Sequence, residues 1–386
     1  MCRSWTAICG NIRKRIRASN MINEKRLIEQ FLRLTAIDAP SGEESAMRAY
    51  LTGALAHLGI SAEADGAGNL FARLPGTCAG DALLFSAHMD TVSPGRGKHA
   101  VRHPDGRITS DGTTVLGADD AAGIAAILEA LTVLRESALP HPDIELLFTA
   151  EEERFCQGSA RFDYTLLRAK TAYVLDLTGP VGTAAVAAPT ILSLDIAVRG
   201  RAAHAGFAPE DGINALSIAA EALAKLKTGR VAPDTTVNFG TVEGGTGRNI
   251  VPDRIRIAGE VRSLRHEAAL HEAHAIEDAF RRAAEKLGGV SEVGVTEDLR
   301  AYRIAQNEPV VTHLRSALAA LGWGEPALVE TFGGSDNNQF VRHGLRGLVL
   351  ASAMEHVHTT EEYTHIPELA RSAALVLQLM TMEGAI

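Results

Sequence analysis

The chain has 386 residues, and its 38 Lys and Arg against 47 Asp and Glu give a net charge of −9. A chain of this length is too long for one ordinary hydrophobic core, so two domains are expected. The acidic balance argues against a nucleic-acid partner, and the lack of any apolar stretch of about 18 residues argues against a membrane span. The four cysteines have no paired spacing, which indicates a reduced, cytoplasmic protein.

The first part of the chain differs from the rest in charge. A secretory signal places its basic residues before an apolar stretch, whereas here the basic cluster follows a weakly apolar one. We predict a disordered basic extension over residues 1–20, with a targeting arm as the alternative, and a first helical pattern from Met21. The basic residues of this segment, which contains no acid, are Arg3, Arg13, Lys14, Arg15 and Arg17.

Continuous apolar runs alternate with helical segments over residues 21–189, and the same pattern resumes over residues 304–386. This alternation is typical of a mostly parallel sheet with helices on both faces, so we predict an α/β fold. Ser41-Gly42-Glu43-Glu44 matches a capping box, which predicts a helix start. Residues 95–115, rich in Gly, His and charge, are predicted to form an irregular loop.

The pattern changes near residue 190. Apolar and polar residues alternate over residues 192–198 and 255–261, which predicts strands with one solvated face. Two amphipathic helices are predicted at residues 213–226 and about 267–287. We therefore predict that residues 190–303 form a small α+β domain, ferredoxin-like in its order of elements, inserted into the larger domain.

Acidic and histidine side chains stand where predicted strands and helices of the larger domain begin or end. Taken singly, each has an ordinary explanation, such as a helix N-cap or a solvated turn. Ligand sites of parallel sheets lie beyond the carboxyl ends of the strands, and an acid within an apolar strand must be paired or bound to a metal. Because several coincide, they predict one metal site. The set comprises His88, Asp90, Asp119, Glu152, Glu153, Asp176 and His358.

Five segments together resemble the peptidase T-like branch of a di-zinc metallopeptidase superfamily. That superfamily also contains glutamate carboxypeptidases, aminoacylases and succinyl-diaminopimelate desuccinylase. The resemblance extends over about residues 22–384 and implies a zinc-exopeptidase-like fold with an inserted lid and dimerisation domain. The segments are Ser86-Ala87-His88-Met89-Asp90-Thr91-Val92, Gly117 to Gly123, Phe148 to Glu153, Gly200 to Gly206, and His358-Thr359-Thr360-Glu361-Glu362-Tyr363.

The resemblance also implies a role for each metal ligand. Asp119 would bridge two Zn²⁺ ions, for which Co²⁺ or Mn²⁺ could substitute. His88 and Asp176 would complete one site, and Glu153 and His358 would complete the other.

Further residues are assigned by the same resemblance. Glu152 would be the general base, and Asp90 would orient His88. In the inserted domain, His204, Asn249 and Arg262 would bind substrate, although Arg262 could also be an ordinary exposed strand residue. The chain departs from the family pattern in having Glu151 in place of Asp, Phe155 in place of Gly and Ala121 where Lys is frequent. These three departures leave every ligand and the base intact.

These expectations favour a cytoplasmic aminopeptidase that acts on short peptides, most of all tripeptides, as a homodimer formed through the inserted domain. A carboxypeptidase or an N-acyl-amino-acid amidohydrolase is the first alternative, because the same motifs serve both ends of a peptide. A non-catalytic metal- or peptide-binding protein is the second. Retention of Glu152 with all five ligands argues against that second alternative.

Overall fold

The computed structural model describes residues 18–382 of the chain. Most of the predicted basic extension therefore lies outside the described residues, and Ala18–Asn20 form a short 3-10 helix with Ala18 buried. The chain divides into two compact units. Unit 1 contains the described residues up to Val186, Ile304–Glu330 and the residues from Ser335 onward, and unit 2 contains Ala187–Arg303 and Thr331–Gly334.

The α-helices of the described residues are α1 (Glu24–Thr35), α2 (Ser45–His57), α3 (Ala118–Glu136), α4 (Gln157–Ala160), α5 (Ala215–Leu223), α6 (His266–Leu287), α7 (Pro309–Leu321), α8 (Asp336–Arg342) and α9 (Ile366–Thr381). None of them is both long and apolar enough to cross a membrane.

The strands of the first half of the described chain are β1 (Ala62–Ala64), β2 (Leu70–Leu74), β3 (Leu83–His88), β4 (Ala100–Arg102), β5 (Arg107–Ser110), β6 (Ile144–Thr149), β7 (Thr171–Thr178) and β8 (Thr183–Ala188). Those of the second half are β9 (Thr190–Arg199), β10 (Gly229–Ala232), β11 (Thr235–Gly244), β12 (Arg254–Ser263), β13 (Val290–Leu299), β14 (Tyr302–Arg303), β15 (Ala327–Glu330), β16 (Arg346–Met354) and β17 (Tyr363–His365).

The large sheet of unit 1 has the strand order β1-β2-β6-β3-β7-β16-β8, and β15 also pairs with β8. Its central strands are parallel, since β3 pairs in parallel with both β6 and β7, and β7 does so with β16. Every residue of β3 and β6 is buried, so both faces of the sheet are covered. The predicted α/β fold with a mostly parallel sheet is confirmed.

Alternate residues of β3 face opposite sides of this sheet. Leu84 packs in a cluster with Phe340 of α8, whereas the ring of Phe85 lies 5.5 Å from that of Tyr173 on β7. The strand is apolar apart from Ser86, whose hydroxyl donates to the carbonyl of Leu147 at 2.7 Å. Its first candidate ligand, His88, is its last residue. The sheet therefore presents His88 at its carboxyl edge.

Two local predictions in unit 1 were wrong. Ser41 does not cap a helix, because its hydroxyl donates to Asp90 at 2.6 Å, and α2 begins only at Ser45. The predicted loop over residues 95–115 contains β4 and β5, which form a three-stranded sheet with β17. β17 lies far away in the sequence, so no local pattern could reveal its pairing.

Unit 2 is built around a sheet of order β10-β11-β12-β9-β13, in which all neighbours are antiparallel. Buried and more exposed residues alternate along β9, as predicted for a strand with one solvated face. Helices α5 and α6 contribute Ile218 and Phe280 to a core with Leu194 and Ile257. The prediction of an α+β domain is confirmed, and β10 is a strand that the sequence pattern did not predict.

Candidate active site

The carboxyl ends of three neighbouring strands converge at one edge of the large sheet. β3 ends at His88, β6 ends at Thr149 just before the glutamates, and β7 carries Asp176 near its end. Asp119 lies at the start of α3, where the Asp119–Asp120 peptide is cis and the backbone of both residues is non-helical. The sheet thus brings together residues that the sequence separates widely.

The candidate ligand atoms of the described residues form three overlapping groups. One consists of His88, Glu152 and Glu153, and the other two share Asp119. Of these two, one consists of His88, Asp119 and Asp176, the other of Asp119, Glu153 and His358, and within each group the ligand atoms lie within 4.8 Å of one another. His88 Nε2 is 2.9 Å from Asp119 Oδ1, and His358 Nε2 is 3.2 Å from Asp119 Oδ2. Each oxygen of the shared carboxylate therefore faces a different histidine.

The residues present fit a pair of divalent cations. Imidazole nitrogens and carboxylate oxygens are the ligands that zinc takes in catalytic sites. Glu153 Oε1 is buried and accepts no hydrogen bond of acceptable geometry, although His358 Nε2 lies 3.1 Å away. A buried carboxylate oxygen without a partner is costly, and a cation would satisfy it.

The electrostatics of the cluster lead to the same conclusion. Burial raises the pKa of Glu152 well above its usual range, and the charge of Asp176 raises it further. Burial and the charge of Asp119 likewise raise the pKa of Asp176. The nearby carboxylates of Asp119 and Glu153 raise the pKa of His358 to about 10. The described site therefore has an excess of carboxylates, which bound cations would neutralise.

Asp90 lies against both His88 and the glutamates. His88 Nδ1 is 3.0 Å from the carbonyl oxygen of Asp90 and 3.5 Å from its Oδ1. The Asp90 carboxylate accepts hydrogen bonds from the backbone amides of Glu152 and Glu153, at 3.0 and 3.2 Å, besides that from Ser41. Asp90 can thus fix the histidine ring and the two glutamates together.

Two buried carboxylates beside the ligands were not predicted as site residues. Glu362 accepts the amides of Gly117 and Asp119 at 2.8 and 2.9 Å, and burial raises its pKa to about 7. Asp120 accepts the amide of His88 at 3.2 Å. Each accepts a hydrogen bond from the backbone of a candidate ligand. The sequence signal that could have identified them was their position in the motifs around Asp119 and His358.

The glutamates lie on the segment of residues 150–158, which reverses the direction of the chain after β6 and which we call the glutamate turn. Three of its residues that are not glycine have left-handed backbone, with φ of 51° at Glu151, 60° at Phe155 and 57° at Cys156. Such residues cost about 1–3 kcal/mol each and persist only when their surroundings hold them in place. Phe155 occupies the position where the resemblance indicated a glycine, and its φ explains that preference.

The predicted substrate residues belong to unit 2. His204 and Asn249 are exposed neighbours, since the amide of Ala205 donates to the carbonyl of Asn249 at 3.0 Å. His204 Nδ1 accepts the amides of Gly206 and Phe207, both at 3.1 Å, and its ring stacks on Phe207. In the neutral ring the proton is therefore on Nε2, which is left as a donor.

Arg262 lies at the other end of the same sheet. His204 follows the end of β9, where Arg199 pairs with Arg254, whereas Arg262 pairs with Ile191 near the start of β9. Arg254 and Arg262 are eight residues apart along β12, a distance of roughly 25 Å. Within one subunit, unit 2 therefore does not bring His204 and Arg262 together.

Arg262 is not an isolated surface cation. Its Nε and Nη2 each donate to the Glu260 carboxylate at 2.9 Å, and Nη1 donates to the carbonyl of Phe332 at 3.0 Å. These contacts hold the guanidinium in one orientation and leave two of its five N–H groups for another acceptor.

Comparisons with known proteins identify the family. Residues 186–288 match the model of the M20 peptidase dimerisation domain. The crystal structure of the aminopeptidase PepT from Bacillus cereus is 39% identical, with a TM-score of 0.86, and the alignment covers 94% of this chain and 99% of that one. This chain belongs to the peptidase T-like M20 metallopeptidases. A tripeptidase structure from Staphylococcus aureus is 35% identical, covers 94% and 98% of the two chains and has a TM-score of 0.90.

A more distant M20 structure, YXEP from Bacillus subtilis, is described as a dinuclear metal-binding peptidase. It is 17% identical to this M20 metallopeptidase, with a TM-score of 0.71 and coverage of 93% and 97%, and shares its fold. The family resemblance predicted from the sequence is confirmed.

Proposed function

We propose that this M20 metallopeptidase is a cytoplasmic di-zinc aminopeptidase that hydrolyses tripeptides with a free amino terminus. The observation that carries the proposal is Asp119, whose two oxygens each face a separate group of ligands. The similarity to a PepT aminopeptidase and a tripeptidase, each aligned over nearly its full length, supports the substrate class.

The residues divide the work of hydrolysis among them. Two divalent ions held by Asp119 and its neighbours would polarise the scissile carbonyl and acidify the attacking water. Glu152 takes a proton from that water and returns it to the leaving nitrogen. Asp90 helps to hold Glu152 in position for this transfer, because its carboxylate accepts a hydrogen bond from the backbone amide of Glu152.

In this proposal the substrate contacts both His204 and Arg262, which lie at opposite ends of the unit 2 sheet. An extended tripeptide spans only about 10 Å, which is much less than the separation of His204 and Arg262 along β12. We propose that a homodimer delivers one of these residues from each subunit. His204 Nε2–H then stabilises the developing oxyanion, while Asn249 and Arg262 bind polar groups of the peptide.

A panel of peptides tests the proposal. Purified enzyme with measured metal content is given the same tripeptide in free, N-acylated and C-amidated form. An aminopeptidase cleaves the free and C-amidated forms but not the N-acylated form. A carboxypeptidase requires the free carboxylate, and an N-acyl amidohydrolase requires the acyl group. Elemental analysis should find two zinc ions per subunit. Metal binding without cleavage of any form would favour a non-catalytic binding protein and overturn the proposal.

A further inference from the structure

Two buried side chains outside the ligand set tie both ends of the glutamate turn together. We propose that Asn69 and Asp336 are positioning residues, which hold Glu152 and Glu153 at the metal centre by clamping this turn. The inference rests on the proposed function, since it assigns these residues to the same reaction. Neither residue belongs to the candidate ligand groups.

Asn69 bridges the first and last residues of the turn. Its Oδ1 accepts the amide of Ala150 at 3.1 Å, and its Nδ2 donates to the carbonyl of Gly158 at 2.9 Å. Nδ2 also donates to Asp65 at 2.7 Å, which fixes the orientation of the amide. Asn69 is fully buried, so removal of its side chain leaves the amide of Ala150 and the carbonyl of Gly158 without these partners inside the protein.

The backbone closes at the same point. The amide of Gly158 donates to the carbonyl of Ala150 at 3.1 Å. A Cβ at Gly158 would lie 2.1 Å from that carbonyl oxygen and 2.6 Å from Asn69 Oδ1. The glycine therefore allows an approach between the two ends that any other residue would prevent, and Asn69 lies at this contact.

Asp336 joins the flanking residues in the same way. Its carboxylate accepts the hydroxyl of Thr149, just before the turn, and the hydroxyl of Ser159, just after it. All three side chains are almost completely buried. Asn69 and Asp336 thus form two consecutive cross-links between the entry and the exit of the turn.

The turn needs such cross-links because its own backbone is unfavourable. The left-handed φ of Glu151, Phe155 and Cys156 is energetically unfavourable, so the segment is expected to relax to another conformation when its ends are released. Opening would displace the carboxylates of Glu152 and Glu153, and a misplacement of about 1 Å can lower a rate by about 10²-fold. The role proposed for the clamp is therefore geometric and acts through the two glutamates.

The test compares Asn69→Ala with Asn337→Ala. Asn337 is a matched control because it is equally buried and donates to a glycine carbonyl, that of Gly347 at 3.0 Å, which lies outside the glutamate turn. Asn69→Ala should lower kcat about 10- to 100-fold with little change in KM, whereas Asn337→Ala should retain kcat per folded molecule. Asp336→Asn should resemble Asn69→Ala.

A double variant separates positioning from a general loss of stability. If Asn69 acts through the base, Asn69→Ala should lower kcat much less in a Glu152→Gln background than in the wild type. Ser159→Ala, which removes one hydroxyl donor, is the milder variant if Asn69→Ala does not fold. Wild-type kcat in Ser159→Ala and Asp336→Asn, or an equal loss in Asn337→Ala, would overturn the clamp.

A metal measurement keeps this test independent of the proposed function. Glu153 is a candidate ligand on the turn, so Asn69→Ala should weaken Zn²⁺ binding at one of the two sites about 10-fold, and Asn337→Ala should not. If the wild-type enzyme cleaves no peptide, the proposed function fails while this comparison still decides the clamp. Equal Zn²⁺ affinity in both variants and the wild type would contradict it.

Discussion

Glu152 is buried beside the candidate ligands and forms a group with His88 and Glu153, but it belongs to neither of the two groups that contain Asp119. We therefore expect its role to be separable from metal binding. Glu152→Gln keeps the size and polarity of the side chain but cannot accept a proton from water. We expect both metal ions to be retained and kcat to fall by about 10²–10⁴-fold. Turnover close to that of the wild type, measured with a free tripeptide, would show that another group is the base.

Asp119 belongs to two of the candidate ligand groups, whereas Asp176 belongs to one. Asp119→Ala should therefore reduce the metal content of the dialysed protein more than Asp176→Ala. Elemental analysis of both variants, prepared in parallel, measures the difference. A loss of the same single ion from each would show that Asp119 does not bridge the sites.

The convergence of the candidate ligands was predictable, because several acids and histidines at the ends of apolar strands are better explained by one shared site than by separate local roles. Ser41 and Glu362 were missed for the opposite reason, since each has an ordinary local explanation as a cap or a turn residue. Their partners, Asp90 and the start of α3, are 49 and more than 240 residues away. Such contacts depend on the fold and leave no periodic signal.

At the scale of elements, α7 packs on β7 through a buried polar pair. His313 Nδ1 lies 2.7 Å from the hydroxyl of Tyr173, and burial lowers the pKa of His313 to about 4. An unfolded histidine titrates near 6.5. As the pH falls from 6.5 to 4, His313 is therefore protonated in the unfolded chain but stays neutral in the folded protein. The free energy of unfolding decreases as a result.

This pair predicts a pH dependence of unfolding. Between pH 7 and pH 5, protonation of His313 in the unfolded chain should lower the free energy of unfolding by about 2 kcal/mol. His313→Gln should lose that part of the dependence, which urea denaturation at the two pH values measures. Exposed His57, replaced by Gln in the same unit, is the control. An identical dependence in His313→Gln and the wild type would contradict the lowered pKa.

Elements were predicted best where their pattern is local. Helix α6 begins at His266 and ends at Leu287, close to the prediction, because its amphipathic spacing is long and uninterrupted. β4 and β5 were missed because they are short and pair with β17, which lies far away in the chain. Their stability comes from a partner strand and not from their own composition.

At the scale of the whole molecule, the separation of His204 and Arg262 on one sheet predicts complementation between subunits. Glu152→Gln and His204→Ala should each be nearly inactive alone. After the two are mixed, unfolded and refolded together, about a quarter of the sites should contain both an intact base and a His204 from the partner. Recovery of activity to roughly that fraction is the expected result.

Light scattering gives the control for this experiment, since it should report a dimer for the wild type and both variants. A strictly monomeric wild-type protein, or a His204→Ala variant with full activity, would contradict the proposal that the subunits share residues.

The division of unit 1 into three segments has a consequence for how the protein is made. Almost all residues of unit 2 are synthesised before α8, β16 and His358. Unit 2 can therefore fold during translation, whereas the central sheet lacks β16 until the last part of the chain emerges. We expect the nascent chain to remain unable to hold both metal ions until that point, because His358 belongs to one of the candidate ligand groups.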